Sequence, residues 1–204
     1  MKICKSFHPI KSYECGDGSL KLNLFNGSYT YSYPLLSIGR NSFSVSISLV
    51  YNSTYNSNDF GSRLIGFGNG WKLDIEQHLF PYIETYNING YNFRDYVYID
   101  ANWSIHRFVY YKTIYNGDIT TNYYYDDSGT GLIMKKCGDS LLIEDEYSNQ
   151  YIFENGRLVE IISSVNRDIR KIIEYNSNNN YIKITYYIIL LKNLLLDLLI
   201  LKFL

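Results

Sequence analysis

Glycines, histidines and carboxylates are the residues of this chain with the means to bind anions, hold metals or move protons, and in each case the spacing limits them. Gly66-Phe67-Gly68-Asn69-Gly70 has the composition of a phosphate-binding loop. Its third glycine comes one residue early, and an alternating run from Trp71 follows where a helix N-terminus would be needed to hold the anion, so the segment reads as a tight turn into a strand. His8, His78 and His106 are scattered, without H-x-x-x-H spacing or a carboxylate companion at ligand spacing, which predicts no metal site. His106 lies between Ile105 and Arg107, in phase with Phe108, and reads as a packed or hydrogen-bonded strand histidine. Asp126-Asp127-Ser128-Gly129 has the composition of a calcium loop, but Cys137 stands where the closing glutamate belongs, and a hairpin turn is the better reading. Glu144, Asp145 and Glu146 offer carboxylates for glycoside hydrolysis, yet strand neighbours point to opposite faces and cannot flank one bond together. Cys4, Cys15 and Cys137 are too few and too far apart for a disulfide framework and read as free thiols. With no G-x-S-x-G elbow and no cysteine in a catalytic setting, the expectation is a chain without catalytic, cofactor-binding or metal-binding residues.

Composition says which elements carry these residues. Of 204 residues, 46% are hydrophobic and 19% charged, enough apolar material for a packed core. Nineteen Lys and Arg against twenty Asp and Glu leave a net charge of -1, without the basic footprint of a nucleic-acid binder. The 23 tyrosines and 10 phenylalanines favour pleated, half-buried sheet. Period-two runs point the same way. Phe43, Val45, Ile47, Leu49 and Tyr51 oppose Ser44, Ser46 and Ser48; Trp71, Leu73 and Ile75 oppose Lys72, Asp74 and Glu76; Ile169, Ile173 and Tyr175 oppose Asp168, Arg170 and Glu174. Turn clusters separate such runs at Asn26-Gly27-Ser28, Asn89-Gly90, Asn116-Gly117-Asp118, Asp127-Ser128-Gly129 and Asn155-Gly156. The fold expected is all-β, a meandering antiparallel sheet of a dozen or so short strands, with a long loop from Asn52 to Gly70 and no βαβ unit.

The ends of the chain differ from its middle. Residues 1–19 form a lead-in with no apolar run of seven or more, hence no signal-peptide core. A weak repeat aligns Tyr151-Ile152-Phe153 with Ile173-Glu174-Tyr175, and Leu158-Val159-Glu160-Ile161 with Tyr181-Ile182-Lys183-Ile184, the kind of unit that needs a neighbour to bury its apolar face. From Tyr187 to Leu204 the chain turns leucine-rich, which favours helix. Lys192, Asp197 and Lys202 make a membrane span costly, so a helix docked on the sheet or an appended apolar tail is expected there.

Several of these stretches, taken in order, resemble the RHS or YD-repeat family of bacterial proteins. Ser28-Tyr29-Thr30-Tyr31, Pro34 to Ile38, and Ser44 to Ser53 with its closing Tyr51-Asn52-Ser53 are similar to the segment leading into that family's repeats. Gly66 to Leu73, with Gly70-Trp71, resembles the Gly-Trp strand entry that follows. The stretch from Tyr96 to Phe108, with Asp100, His106 and Phe108, looks like the family's Tyr, Asp, turn, His, Phe hairpin, Trp103 standing where a turn glycine is usual. Ile143 to Phe153, with Tyr151 and Phe153, followed by Asn155-Gly156-Arg157-Leu158, is similar to one YD-type unit; Asn166-Arg167 stands where Asn-Gly is expected. The resemblance implies a β-rich region over residues 20–137, one to two repeats over 138–186, and a truncated or frame-disrupted member whose leucine-rich tail is foreign to the family. It further implies a non-catalytic scaffold, part of a shell that encloses a C-terminal effector or toxin outside the cell or at its surface. Partners would then be the remainder of the shell or a toxin cargo, and the isolated chain would self-associate. The second reading is a cell-surface carbohydrate- or protein-binding β module, with Trp71 and Trp103 as stacking residues.

Overall fold

The computed structural model describes residues 10–24, 27–38, 45–54, 70–165, 169–175, 181–188 and 195–202. Expectations resting on Cys4, His8, Asn26, Phe43, Ser44, residues 55–69 of the long loop, Asn166-Arg167 and Asp168 lie outside the described residues. The described secondary structure is antiparallel β-strand joined by turns, the all-β hairpin meander that the alternation predicts. The chain divides into two compact units, Met1–Ile75 with Ala101–Trp103, and Glu76–Asp100 with Ser104–Leu204.

The first unit is a five-stranded sheet in sequence order, β1 (Ile10–Cys15), β2 (Gly18–Asn23), β3 (Tyr29–Ile38), β4 (Val45–Asn52) and β5 (Trp71–Leu73). In β3, register jumps at Pro34, because a residue without an N–H cannot continue a ladder and is tolerated at a bulge. Ile47 is buried on the face that the alternation predicts, and Val50, from the serine face, is buried as well. The alternation from Trp71 to Glu76 predicts a polar outer face that the structure does not have. The strand ends at Leu73, and Lys72 and Glu76 are as buried as Leu73 and Ile75. Lys72 tolerates burial because its ammonium donates to the Ala101 carbonyl at 3.1 Å and lies 5.4 Å from the centre of the Trp103 ring.

The second unit contains β6 (His78–Ile88), β7 (Tyr91–Ile99), β8 (Ile105–Asn116), β9 (Ile119–Asp126), β10 (Ile133–Cys137), β11 (Ser140–Glu144), β12 (Gln150–Glu154), β13 (Arg157–Ile162), β14 (Ile169–Tyr175), β15 (Tyr181–Ile188) and β16 (Leu195–Lys202). Each strand pairs with the next in sequence up to β16, and β13 also meets β6 through Arg157 opposite His78. Backbone bonds from Leu79 N to Gly156 O and from Leu158 N to Gln77 O, both 3.0 Å, complete that junction. Strands β6 to β13 therefore close on themselves, eight strands around an interior that side chains can fill. Each strand sends at least one buried side chain inward: Leu79, Tyr98, Phe108, Tyr124, Met134, Ile143, Phe153 and Leu158. Tyr98 and Phe153, on strands that are not neighbours in the sheet, meet edge to face with ring centres 5.7 Å apart.

The turns follow their sequences. Asn89-Gly90 and Asn155-Gly156 both have positive φ, the geometry of a two-residue hairpin whose twist matches its strands. The C-terminal expectation of a helix is overturned, since Leu195–Lys202 forms β16 and pairs with β15 from Tyr187 opposite Leu195 to Tyr181 opposite Lys202. Helix propensity separates ordinary residues by only about 0.7 kcal/mol each. Pairing against β15 satisfies a whole row of backbone groups and outweighs that preference.

Candidate functional site

Tyr51, Asn52, Gly70 and Trp71 come together at the end of β4. Tyr51 is opposite Trp71 in the register, with ring centres 5.0 Å apart, and Tyr29 packs on Tyr51 from the other side at 5.6 Å. Asn52 N donates to Gly70 O at 2.9 Å, and the Asn52 side-chain oxygen accepts from Thr54 N and Oγ1 at 2.9 and 2.8 Å. Gly70 has φ +80°, and a Cβ there would sit 2.8 Å from both Asn52 O and the Tyr51 ring, so only glycine fits. These four residues lock two strand ends.

Trp103 occupies the turn position with φ +66°, a conformation that costs a bulky residue about 1–2 kcal/mol. It persists because the ring is buried, its Nε1–H donates to Val50 O at 3.2 Å, and Lys72 lies over it. The burial also removes Trp103 as a surface platform for sugar stacking. Trp103→Gly relieves the backbone but forfeits the ring, whose truncation costs about 3–5 kcal/mol. We expect a net loss of about 2 kcal/mol, read by urea unfolding followed by circular dichroism; a stabilised variant would show that strain dominates.

Asp100, His106 and Phe108 lie where β7 turns into β8. Phe108 is fully buried, and His106 is on the same inner face, stacked on Tyr98 with ring centres 5.4 Å apart. Nδ1 of His106 donates to Asp126 Oδ2 at 2.9 Å, and Nε2 faces Asp100 Oδ2 at 3.6 Å. Asp126 also accepts from Ser128 N at 3.2 Å, Ser128 Oγ at 2.7 Å and Thr130 Oγ1, the side-chain bonding of a hairpin turn. Burial pulls the imidazole down, but hydrogen bonds and charges from Asp100 and Asp126 outweigh it, and the pKa lies above its ordinary 6.5. Burial likewise pushes Asp126 up, but bonds from Thr130, Ser128 and His106 outweigh it and hold the carboxyl below its ordinary 3.8. With both nitrogens turned toward carboxylates, the ring has no open pole for a substrate. Among the described residues no group of three or more His, Cys, Asp and Glu side chains is arranged to hold a metal ion.

Tyr151, Phe153, Gly156, Arg157 and Leu158 lie along the β12–β13 hairpin. Phe153 and Leu158 are buried opposite each other, and Gly156 O accepts from Leu79 at the junction with β6. The guanidinium of Arg157 lies 5.1 Å from the Tyr175 ring centre. Tyr151 Oη donates to Asp145 Oδ2 at 3.2 Å, and burial together with the Asp145 charge pushes the phenol up to about 12. Asp145 also caps its turn by accepting from Tyr147 N and Asn149 N. Glu144 pairs with Lys135 at 2.8 Å, so this acidic cluster divides between a turn cap and a cross-strand ion pair.

The outer face carries one feature that the sequence pattern does not show. Between Tyr110 and Lys112 the β8–β9 register slips by one residue, and Tyr111 is the extra residue of the bulge. Below it, Lys112, Tyr123 and Lys135 form one cross-strand row and Val109, Tyr125 and Ile133 the next. A groove of about 690 Å³ is lined by Tyr111, Lys112, Tyr123, Tyr125, Ile133 and Lys135. The alternation of Tyr123 and Tyr125 is the one signal of it in the sequence, because a bulge leaves no mark in a period-two pattern. Comparison with protein-family models, with curated proteins and with solved structures finds no match for this chain.

Proposed function

We propose that this chain is a non-catalytic β-sheet scaffold, a segment of a shell of the RHS/YD-repeat kind that holds or encloses an effector outside the cell or at its surface. The observation that carries the reading is the course of β13. Its first residue pairs with β6, and Glu160, Ile161 and Ile162 pair with β14, so the ladder leaves the closed group and continues hairpin by hairpin to β16. The two hairpins β12–β13 and β14–β15 contain the aligned repeat segments of the sequence. Sheet growth of this kind is how repeat architectures extend, each unit covering the edge of the last. Supporting it, the titratable groups at the motif positions are engaged in holding turns and strands: His106 with Asp126, Asp145 with Tyr151.

Among the described residues β16 pairs on one side only, with β15. An uncovered strand edge recruits further strands. The full chain is therefore expected to associate with rising concentration in sedimentation velocity, and a monodisperse monomer at high micromolar concentration would overturn the scaffold reading.

A further inference from the structure

The groove on the outer face of β8, β9 and β10 belongs to neither the motif residues nor the strand ends, and it gathers tyrosine rings, open phenol hydroxyls and lysine charge in one place. Several tyrosines elsewhere in the second unit have their hydroxyls occupied: Tyr98 donates to Gln77 at 2.5 Å, Tyr86 to Asp95 at 2.8 Å, and Tyr175 to Leu158 O at 3.0 Å. Tyr111, Tyr123 and Tyr125 make no hydrogen bond through their hydroxyls to any described residue, and Tyr111 and Tyr125 are 64% and 47% exposed. Their rings do not lie flat. Tyr111 meets Tyr125 edge to face at 86° with centres 6.2 Å apart, which makes a corner able to hold a ring on one face and bond its edge from the other. Lys112 lies 5.3 Å from the Tyr111 ring centre and 5.5 Å from that of Tyr123, and makes no ion pair with a described carboxylate. Lys135, 6.0 Å from the Tyr123 ring centre, is balanced by Glu144. Among the described residues the groove thus presents apolar ring faces, three hydroxyls that both donate and accept, and one uncompensated positive charge.

From this arrangement we propose that the groove binds an acidic saccharide, its sugar rings stacked on Tyr111 and Tyr125 and its carboxylate or sulfate paired with Lys112. A sugar ring offers a flat C–H face and a rim of hydroxyls, and three phenols with open hydroxyls complement both. The charge of Lys112 is complementary to one anionic substituent. A peptide is disfavoured because β8, β9 and β10 are each flanked by a neighbour on both sides, which leaves no backbone edge for strand addition. A nucleic-acid strand is disfavoured because its affinity rests on many phosphate contacts, and the groove offers only Lys112 and the already paired Lys135. The groove volume falls within the roughly 300–1,000 Å³ of small-ligand sites.

This site is independent of the scaffold reading and is tested separately. Calorimetric titration of the full chain with a galacturonate trimer and a heparin-derived tetrasaccharide is compared with maltotriose and with oligo(dT). At least one acidic sugar is expected to bind saturably, with maltotriose about tenfold weaker or more. Tyr125→Ala should weaken the acidic sugar by about tenfold. Lys112→Gln should remove both the preference over maltotriose and the salt dependence, while Tyr115→Ala, an exposed tyrosine outside the groove, leaves binding intact. The three positions are solvent-facing, so an unchanged thermal transition certifies the fold of each variant. Absence of saturable binding by both acidic sugars, full binding by Tyr125→Ala, or tighter binding of oligo(dT) would overturn the proposal.

Discussion

Phe153→Ala is expected to lower the stability of the chain by about 3–5 kcal/mol, the usual cost of emptying an aromatic site in a core. Phe153 is 1% exposed, packs opposite Leu158, and meets Tyr98 across the interior of the closed group. Strands on both sides of that interior are held in place by their own ladders, so the site has little room to collapse around the missing ring. Domains of this size have a total stability of about 5–15 kcal/mol, and the loss would lower the thermal midpoint by about 10 °C or more. Ile83, 95% exposed, is the control position, with Ile83→Ala expected to stay within about 0.5 kcal/mol. Urea unfolding followed by far-ultraviolet circular dichroism measures both. A Phe153→Ala loss under about 1 kcal/mol would show that strands β6 to β13 do not close around a packed interior.

The second large effect is the pH dependence of the His106–Asp126 pair. His106 has its pKa raised on folding, so its contribution is fully present below its ordinary 6.5 and is lost as pH rises through the folded value. Asp126 has its pKa lowered, so its contribution is fully present above its ordinary 3.8 and is lost as pH falls through the folded value. Maximum stability should therefore lie between these two ordinary values, with a decline on either side. Asp126→Asn removes the charge that His106 faces and weakens the acceptor shared with Ser128 and Thr130. Breaking a buried pair on one side costs about 3–5 kcal/mol, and the alkaline decline should shrink with it because only Asp100 then favours the imidazolium. Urea midpoints from about pH 3 to 9 test this; a stability that climbs steadily from about pH 5 to 9 would mean that folding disfavours the imidazolium, the opposite of what two facing carboxylates require.

Much of the fold is legible in the sequence because alternation and turn chemistry are local. Ile47 faces inward as its period requires, Asn155-Gly156 turns with both residues at positive φ, and His106 packs in phase with Phe108. What the pattern cannot say is what covers a face. Lys72 and Glu76 alternate as surface residues do, yet both are buried, and Lys72 meets Ala101 from 29 residues away. Trp103 has a turn position that suits surface stacking, but it is held by Val50 O. The leucine-rich tail misleads for a related reason: helix propensity acts residue by residue, whereas a strand edge rewards the whole segment at once. The Tyr111 groove depends on a one-residue slip, which shifts side chains between faces without altering the composition that a sequence displays.

The junction of β13 with β6 also sets the order of events as the chain assembles. The other strand pairings within the second unit join sequence neighbours, each needing only a short loop to close. Arg157 and His78 lie roughly 80 residues apart, and bringing such distant points together in an open chain carries an entropy penalty of about 4 kcal/mol before any bond is made. Hairpins form first and shorten that search, since each one folded brings β13 nearer to β6. Closure is then the late step, and because the junction rests on Arg157 with the flanking Leu79 and Leu158 amide bonds, it is also the seam along which the finished molecule opens most readily.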